Sequence, residues 1–179
     1  LQESFLSDTS DFKPMLLKLK EQNLDGLFIN TQTEIPFLTM LKQIKEINWN
    51  IQIYSTYVAV TKEFLDKAKD NANEIIAIDL PSAREVSSEE GLKLLEEYEK
   101  QYGKNKSLDI VFNSTLEAFR AIHQLIESGE DLKSYLYNTK FNGLFGDWTF
   151  DKNGDINGLG FVLRKVKEGK AEKIQLNNS

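Results

Sequence analysis

The sequence predicts an α/β fold built on a parallel sheet and closed by an antiparallel ribbon. Apolar residues at helical spacing alternate three times with short apolar runs, the signature of βα-type units. Each run ends in polar residues rather than in more core. Beyond Tyr137 the helical period stops, and glycine-punctuated, β-rich segments follow.

Phe5-Leu6 reads as the end of a strand leading into a turn at Asp8–Ser10. Phe12, Met15, Leu16 and Leu19 then recur at helical spacing and form one stripe. Ser10 and Asp11 can cap that helix, and Pro14 sits in its first turn, where a missing N–H costs nothing. Gly26 breaks the pattern, and Asp25–Ile29 is expected as a strand whose Leu27-Phe28-Ile29 run is buried on both faces. Open parallel sheets bind ligands beyond the carboxyl ends of their strands, which makes Asn30, Thr31 and Gln32 candidate ligand contacts.

The unit repeats. Pro36 opens a second helix with Phe37, Leu38, Met40, Leu41 and Ile44 on one side, followed by a strand at Ile51–Tyr54. Ser55, Thr56 and Tyr57 form a second polar loop at the same edge and complete the candidate site. A third helix starts near Thr61, with Phe64, Leu65 and Ala68 inward, and leads to a strand at Glu74–Ile78.

Ser87-Ser88-Glu89-Glu90 carries a capping-box pattern before a helix with Leu92, Leu95 and Tyr98 along one face. Gly103 is placed to end it with a left-handed residue. A longer helix follows, with Leu116, Phe119, Ile122 and Ile126 as its apolar stripe and Gly129 as its stop; a short one covers Leu132–Tyr137. Trp148-Thr149-Phe150 and Gly160–Val166 are β-rich, with turns at Asp151–Asp155 and Glu168-Gly169. They are expected to pair as the closing ribbon.

A chain of 179 residues can bury one sound core or two small ones. The formal charge of −6, with acidic and basic residues interleaved, argues against a nucleic-acid groove. No apolar run approaches membrane-spanning length. The chain has no cysteine, which excludes disulfides, thiol catalysis and thiolate metal sites within it. Leu1-Gln2-Glu3-Ser4 is no signal peptide, and a chain that opens inside an element is expected to be a fragment.

Several motifs invite chemistry and fall short of it. Asp151–Gly158 alternates oxygen ligands like a calcium loop. However, Ile156 occupies the position that needs a glycine, and Val162 the one that needs a bidentate glutamate. A hairpin turn is the simpler reading. His123, the single histidine, has neither cysteine partners for a transition metal nor a Gly-x-Ser-x-Gly elbow for a triad. No strand leads into Gly-x-Gly-x-x-Gly or a Gly-Lys-Ser/Thr phosphate loop. Glu89-Glu90 and Glu96-Glu97 read as solvated helix-face carboxylates. No assembled active site is recognisable in these residues, so no enzyme activity, cofactor or metal is expected.

The order of elements resembles the type I periplasmic binding protein family, and within it the branched-chain amino-acid receptors of ABC transporters. The resemblance is carried by Asp11-Phe12 opening a helix, Asp25–Ile29 as the next strand, and the helix end Glu97–Lys104 with its Tyr102-Gly103-Lys104. Gly143-Leu144-Phe145-Gly146 with Trp148–Asp155 is similar to the family's closing Gly-x-x-Gly…Phe-Asp-x-x-Gly-Asp segment.

It implies an α/β/α lobe of a two-lobed receptor. Residues 1–80 and 140–179 would belong to the second lobe, and 81–139 would supply a hinge strand and helices of the first. The remainder of the receptor would lie outside this chain. It further implies capture of a small polar or amino-acid-like ligand by lobe closure and delivery to an ABC-transporter membrane permease. The location would be periplasmic or extracellular, with lipid anchoring through residues preceding Leu1. A sensory ectodomain on the same fold is the alternative, distinguished by a membrane span after the domain. Amino-acid-binding members carry an acidic residue for the ligand ammonium where this chain has Tyr57, and near Phe112–Asn113 the family places a Tyr-Asp pair. With the first lobe's sheet missing, the apolar stripes of the two long helices are expected to pair with each other or with a second copy of the chain.

Overall fold

A computed structural model describes residues 1–6, 8–103, 109–144, 146–158 and 160–175, with 109–113 as backbone only. In chain order the elements begin α1 (Lys13–Lys20), β1 (Gly26–Ile29), α2 (Glu34–Glu46), β2 (Gln52–Ser55), α3 (Lys62–Ala68) and β3 (Ile76–Asp79). Then come four helices: α4 (Ala83–Val86), α5 (Glu89–Tyr102), α6 (Asp109–Ser128) and α7 (Leu132–Asn138). The strands β4 (Phe141–Gly143), β5 (Gly146–Phe150), β6 (Ile156–Asn157), β7 (Val162–Lys167) and β8 (Lys170–Ile174) close the chain. Two compact units result: Leu1–Asp79 with Val162–Ser179, and Leu80–Phe161.

The first unit holds a five-stranded sheet in the order β1-β2-β3-β7-β8. Its β1, β2 and β3 run parallel, as predicted. Both β7, beside β3, and β8, beside β7, are antiparallel. At α1 the Asp11 carboxylate accepts the Lys13 N–H at 3.1 Å. Pro14 stands within the helix's first turn. At α3 the Thr61 hydroxyl accepts the Phe64 N–H at 3.2 Å. These caps satisfy backbone donors that a helix start leaves unpaired. Phe12, Leu16, Phe37, Met40, Ile44 and Phe64 from the three helices pack with Leu27, Ile29, Ala77 and Val166 of the sheet. The rings of Phe37 and Phe64 lie 4.8 Å apart at the centre of this core.

The expectation that β1 is buried on both faces is overturned. Phe28 is 57% exposed, and Tyr54 and Ile78 are also exposed. The crossovers through α2 and α3 advance the same way along the sheet, and right-handed connections then put both helices on one side. On the uncovered side the Tyr54 ring lies across Gly26, where a Cβ would come within 2.7 Å of it, so a larger residue would have to displace the ring.

In the second unit Ser82 and Glu85 form the capping box, at the start of α4. The Ser87–Glu90 pattern does not form one. Ser88 caps α5 by accepting the N–H of Gly91, which has no side chain to reach back. Gly103 ends α5 with φ +84°. Among the described side chains of α6 the buried ones are Glu117 and Ala121, while of the predicted stripe Leu116 is half-buried and Phe119, Ile122 and Ile126 are exposed. Glu117 turns that face toward the strands because its carboxylate accepts the Leu144 N–H and the Trp148 Nε1–H.

The predicted closing ribbon is split. β4, β5 and β6 form a separate three-stranded antiparallel sheet, whereas β7 and β8 extend the five-stranded one. Residues 140–161 pack with the helices of the second unit. Phe141 stacks on Trp148 at 4.1 Å and meets Tyr135 edge-on at 5.9 Å, and these contacts with the Glu117 bonds hold them there.

Candidate functional site

Parallel register brings the predicted loops to one edge. Ile29 faces Ser55 and Ser55 faces Ala77, so β1 and β2 end level and β3 runs on past them to Asp79. Beyond those ends stand Asn30–Gln32 and Thr56–Tyr57, with Asp79 as the last residue of β3. All lie within the first unit.

The six predicted side chains divide in two. Thr31 is buried and its hydroxyl donates to the Thr33 carbonyl at 2.8 Å. Ser55 is buried as the last residue of β2, and its hydroxyl donates to the Ile29 carbonyl at 2.8 Å. Both groups satisfy the loop's own backbone and hold β1 and β2 level. Asn30, Gln32 and Tyr57 are exposed, and Thr56 is half-buried. The Thr56 hydroxyl lies 3.5 Å from Asn30 Oδ1 and links the two loops. Tyr57 opens a 3-10 turn whose Val58 and Ala59 are buried, which anchors the loop while the phenol stays 55% exposed. The edge thus presents two amides, a hydroxyl and a phenol over a rigid sheet.

Sequence reasoning missed Asp79. Its carboxylate accepts from Arg164 Nε at 2.7 Å, with the two side chains only 19% and 12% exposed. The available signal was an acidic residue closing the apolar run Ile75–Ile78, immediately before Leu80-Pro81.

Other candidates supply no chemistry. Asp151 Oδ1 accepts the N–H groups of Asn153 and Asp155 at 2.7 and 3.0 Å, an Asx-type turn. Among the described residues no group of three or more His, Asp or Glu could hold a metal. His123 is exposed on α6 beside Glu127, 3.4 Å away. An apolar groove of about 290 Å³ in the second unit includes Leu80, Ile122, Leu136, Trp148 and Phe150. Its Glu117 and Trp148 already bond each other at 3.2 Å. Lys104, Phe145 and the side chains of Phe112–Asn113, which bear on the family resemblance, lie outside the described residues. Among the described residues no helix is long and apolar enough to cross a membrane.

Comparison with known proteins gives the chain a family and a fold. The family model described as periplasmic binding protein matches residues 1–171. A leucine binding protein, LivK, from Thermotoga maritima is 20% identical with a TM-score of 0.74, over 96% of this chain and 49% of that one. LivJ of Streptococcus pneumoniae, solved in complex with isoleucine, is 18% identical with a TM-score of 0.63, over 94% and 49%. An extracellular ligand-binding receptor from Rhodopseudomonas palustris is 19% identical with a TM-score of 0.70, over 96% and 54%. The chain therefore spans about half the length of these solved structures and shares the type I periplasmic binding protein fold with them. By the family model, which takes in all but the last few residues, the chain belongs to the periplasmic binding protein family.

Proposed function

We propose that this chain is the ligand-contacting portion of an extracytoplasmic solute-binding protein that serves ABC import. Its exposed strand-end loops would hold a small polar or amino-acid-like ligand as the receptor's lobes close, and the loaded receptor would deliver it to a membrane permease. The observation that carries this reading is the convergence of Asn30, Gln32, Thr56 and Tyr57 on the carboxyl edge of three in-register parallel strands. That is where open α/β sheets place ligands.

The test is an NMR titration of the isotope-labelled chain with a panel of free amino acids, small amides and polyols. Amide shifts should concentrate at residues 30–32 and 56–57. Gln32→Ala and Tyr57→Ala should weaken the binding found there while changing folding stability by no more than about 0.5 kcal/mol, as expected of exposed loop positions. Shifts confined to other parts of the chain, or wild-type affinity in both variants, would refute the assignment.

A further inference from the structure

Resting on that reading of the strand-end loops, we infer that the ligand group held by this chain is uncharged. It is an amide or hydroxyl laid against the phenol of Tyr57, not an ammonium and not a carboxylate.

The inference comes from the charges around the edge. The side chains that reach solvent at the loops include Asn30, Gln32, Thr33, Thr56 and Tyr57, and all of these are neutral hydrogen-bonding groups. Amides and hydroxyls offer a donor and an acceptor together, so they match a partner with the same dual character. The ionised groups nearby are paired with one another except Glu63, an exposed carboxylate in the first turn of α3 that makes no ion pair among the described residues. Asp79, at the end of β3, is held by Arg164 at 2.7 Å, and both side chains are mostly buried. Glu34, which opens α2 just after the first loop, pairs with Lys67 at 3.3 Å. Lys62, which opens α3 just after the second, pairs with Asp66 four residues on.

A ligand ammonium laid against Asn30, Gln32, Thr56 and Tyr57 would give up its water shell and find only neutral acceptors among these four, while the exposed Glu63 stays in water, where its charge is screened. That exchange is unfavourable unless a counter-charge is present. A carboxylate fares no better, because the edge has no unpaired cation among the described residues, and the positive end of α2 already carries Glu34 in its first turn. An uncharged group loses little hydration and can satisfy Asn30, Gln32 and Thr56 directly. The half-exposed Tyr57 ring provides a flat apolar surface beside them.

The test uses four probes with one carbon skeleton: isovaleramide, isopentanol, isopentylamine and isovalerate. Each is titrated into the isotope-labelled 179-residue chain and followed by the amide shifts of Asn30, Gln32, Thr56 and Tyr57. A neutral probe should bind at these residues at least about tenfold more tightly than the amine or the acid. The amide and alcohol arms separate the two neutral chemistries. Tyr57→Glu should reverse the order in favour of the amine, and Tyr57→Phe should not. Equal or tighter binding of the amine or acid to the parent chain overturns the inference and leaves the site standing. So does a Tyr57→Glu variant that gains nothing for the amine while a neutral probe still binds. If none of the four probes moves these residues, the strand-end site itself falls, and the inference with it.

Discussion

Glu117 is the buried carboxylate whose removal most directly probes the second unit. It is 8% exposed on α6, with one oxygen accepting the Leu144 N–H and the other the Trp148 Nε1–H at 3.2 Å. Glu117→Leu keeps much of the bulk and strands both donors away from water. Each abandoned donor costs about 1–3 kcal/mol, so the variant should lose about 2–6 kcal/mol. The upper end is reduced because a buried charge no longer has to be desolvated. Glu117→Gln retains one acceptor but points an NH2 group at the other donor, and should cost about 1–3 kcal/mol.

The chain has two tryptophans, so a Trp49→Phe background leaves Trp148 as the sole indole reporter, inside the second unit. Urea melts followed by its fluorescence and extrapolated linearly give the stability change. If Glu117→Leu stayed within about 0.5 kcal/mol of its parent, or if Glu117→Gln were the worse variant, the carboxylate would not be acting as the acceptor for both groups.

Two further outcomes follow from the first unit. Phe64→Ala removes a side chain of 0% exposure packed 4.8 Å from Phe37, and should cost about 3–5 kcal/mol in melts followed by Trp49, a partner at the margin of the same core. A hydrogen bond from Lys13 and its positive charge hold the Glu46 carboxyl below the usual carboxylate range, while the same bond raises Lys13. The acidic partner's contribution is therefore present above the usual carboxylate range and lost as pH falls through the lowered Glu46 value. The basic partner's contribution is lost as pH rises through the raised Lys13 value. Lys13→Met should raise the Glu46 midpoint in an NMR titration, with Lys42 still acting on the carboxyl, and an unmoved midpoint would show that the pair is not coupled.

What the residues disclosed beforehand was whatever depends on local period. The stripe Phe12-Leu16-Leu19, the core of α2 and the three apolar runs located α1–α3 and β1–β3, because period and turn chemistry are written over a few residues. The exposure of Phe28 was illegible, since three consecutive apolar residues do not say which faces will be covered. That depends on the handedness and direction of two crossovers.

The partition of the last strands was equally hidden. β7 joins β3, more than eighty positions earlier, rather than β5, and nothing local to Val162–Lys167 names its partner. At the site, the two loops were found, but parity decided the rest. Ser55 is the last inward residue of a strand rather than the first of a loop, and Thr31 turns back on Thr33. The apolar stripe assigned to α6 gave way to Glu117, because two hydrogen-bond donors outweighed a pattern of aliphatic residues.

The register partners Asp79 and Val162 have a consequence for how this protein can be made and cut. The chain leaves the five-stranded sheet and returns to it at facing positions on adjacent strands, so Leu80–Phe161 is topologically an insertion at a hairpin tip. Excising it and joining Asp79 to Val162 through a two-residue Asn-Gly turn would leave every strand of the first unit in its native order. In the intact chain, synthesis from the amino terminus exposes β3 as a bare sheet edge until the whole insertion has emerged and β7 can pair with it. Closing so long a loop adds little entropy beyond a shorter one. The vulnerability is therefore one of timing: β3 is an open edge only until β7 arrives, whereas β1 is the outer strand of the sheet throughout.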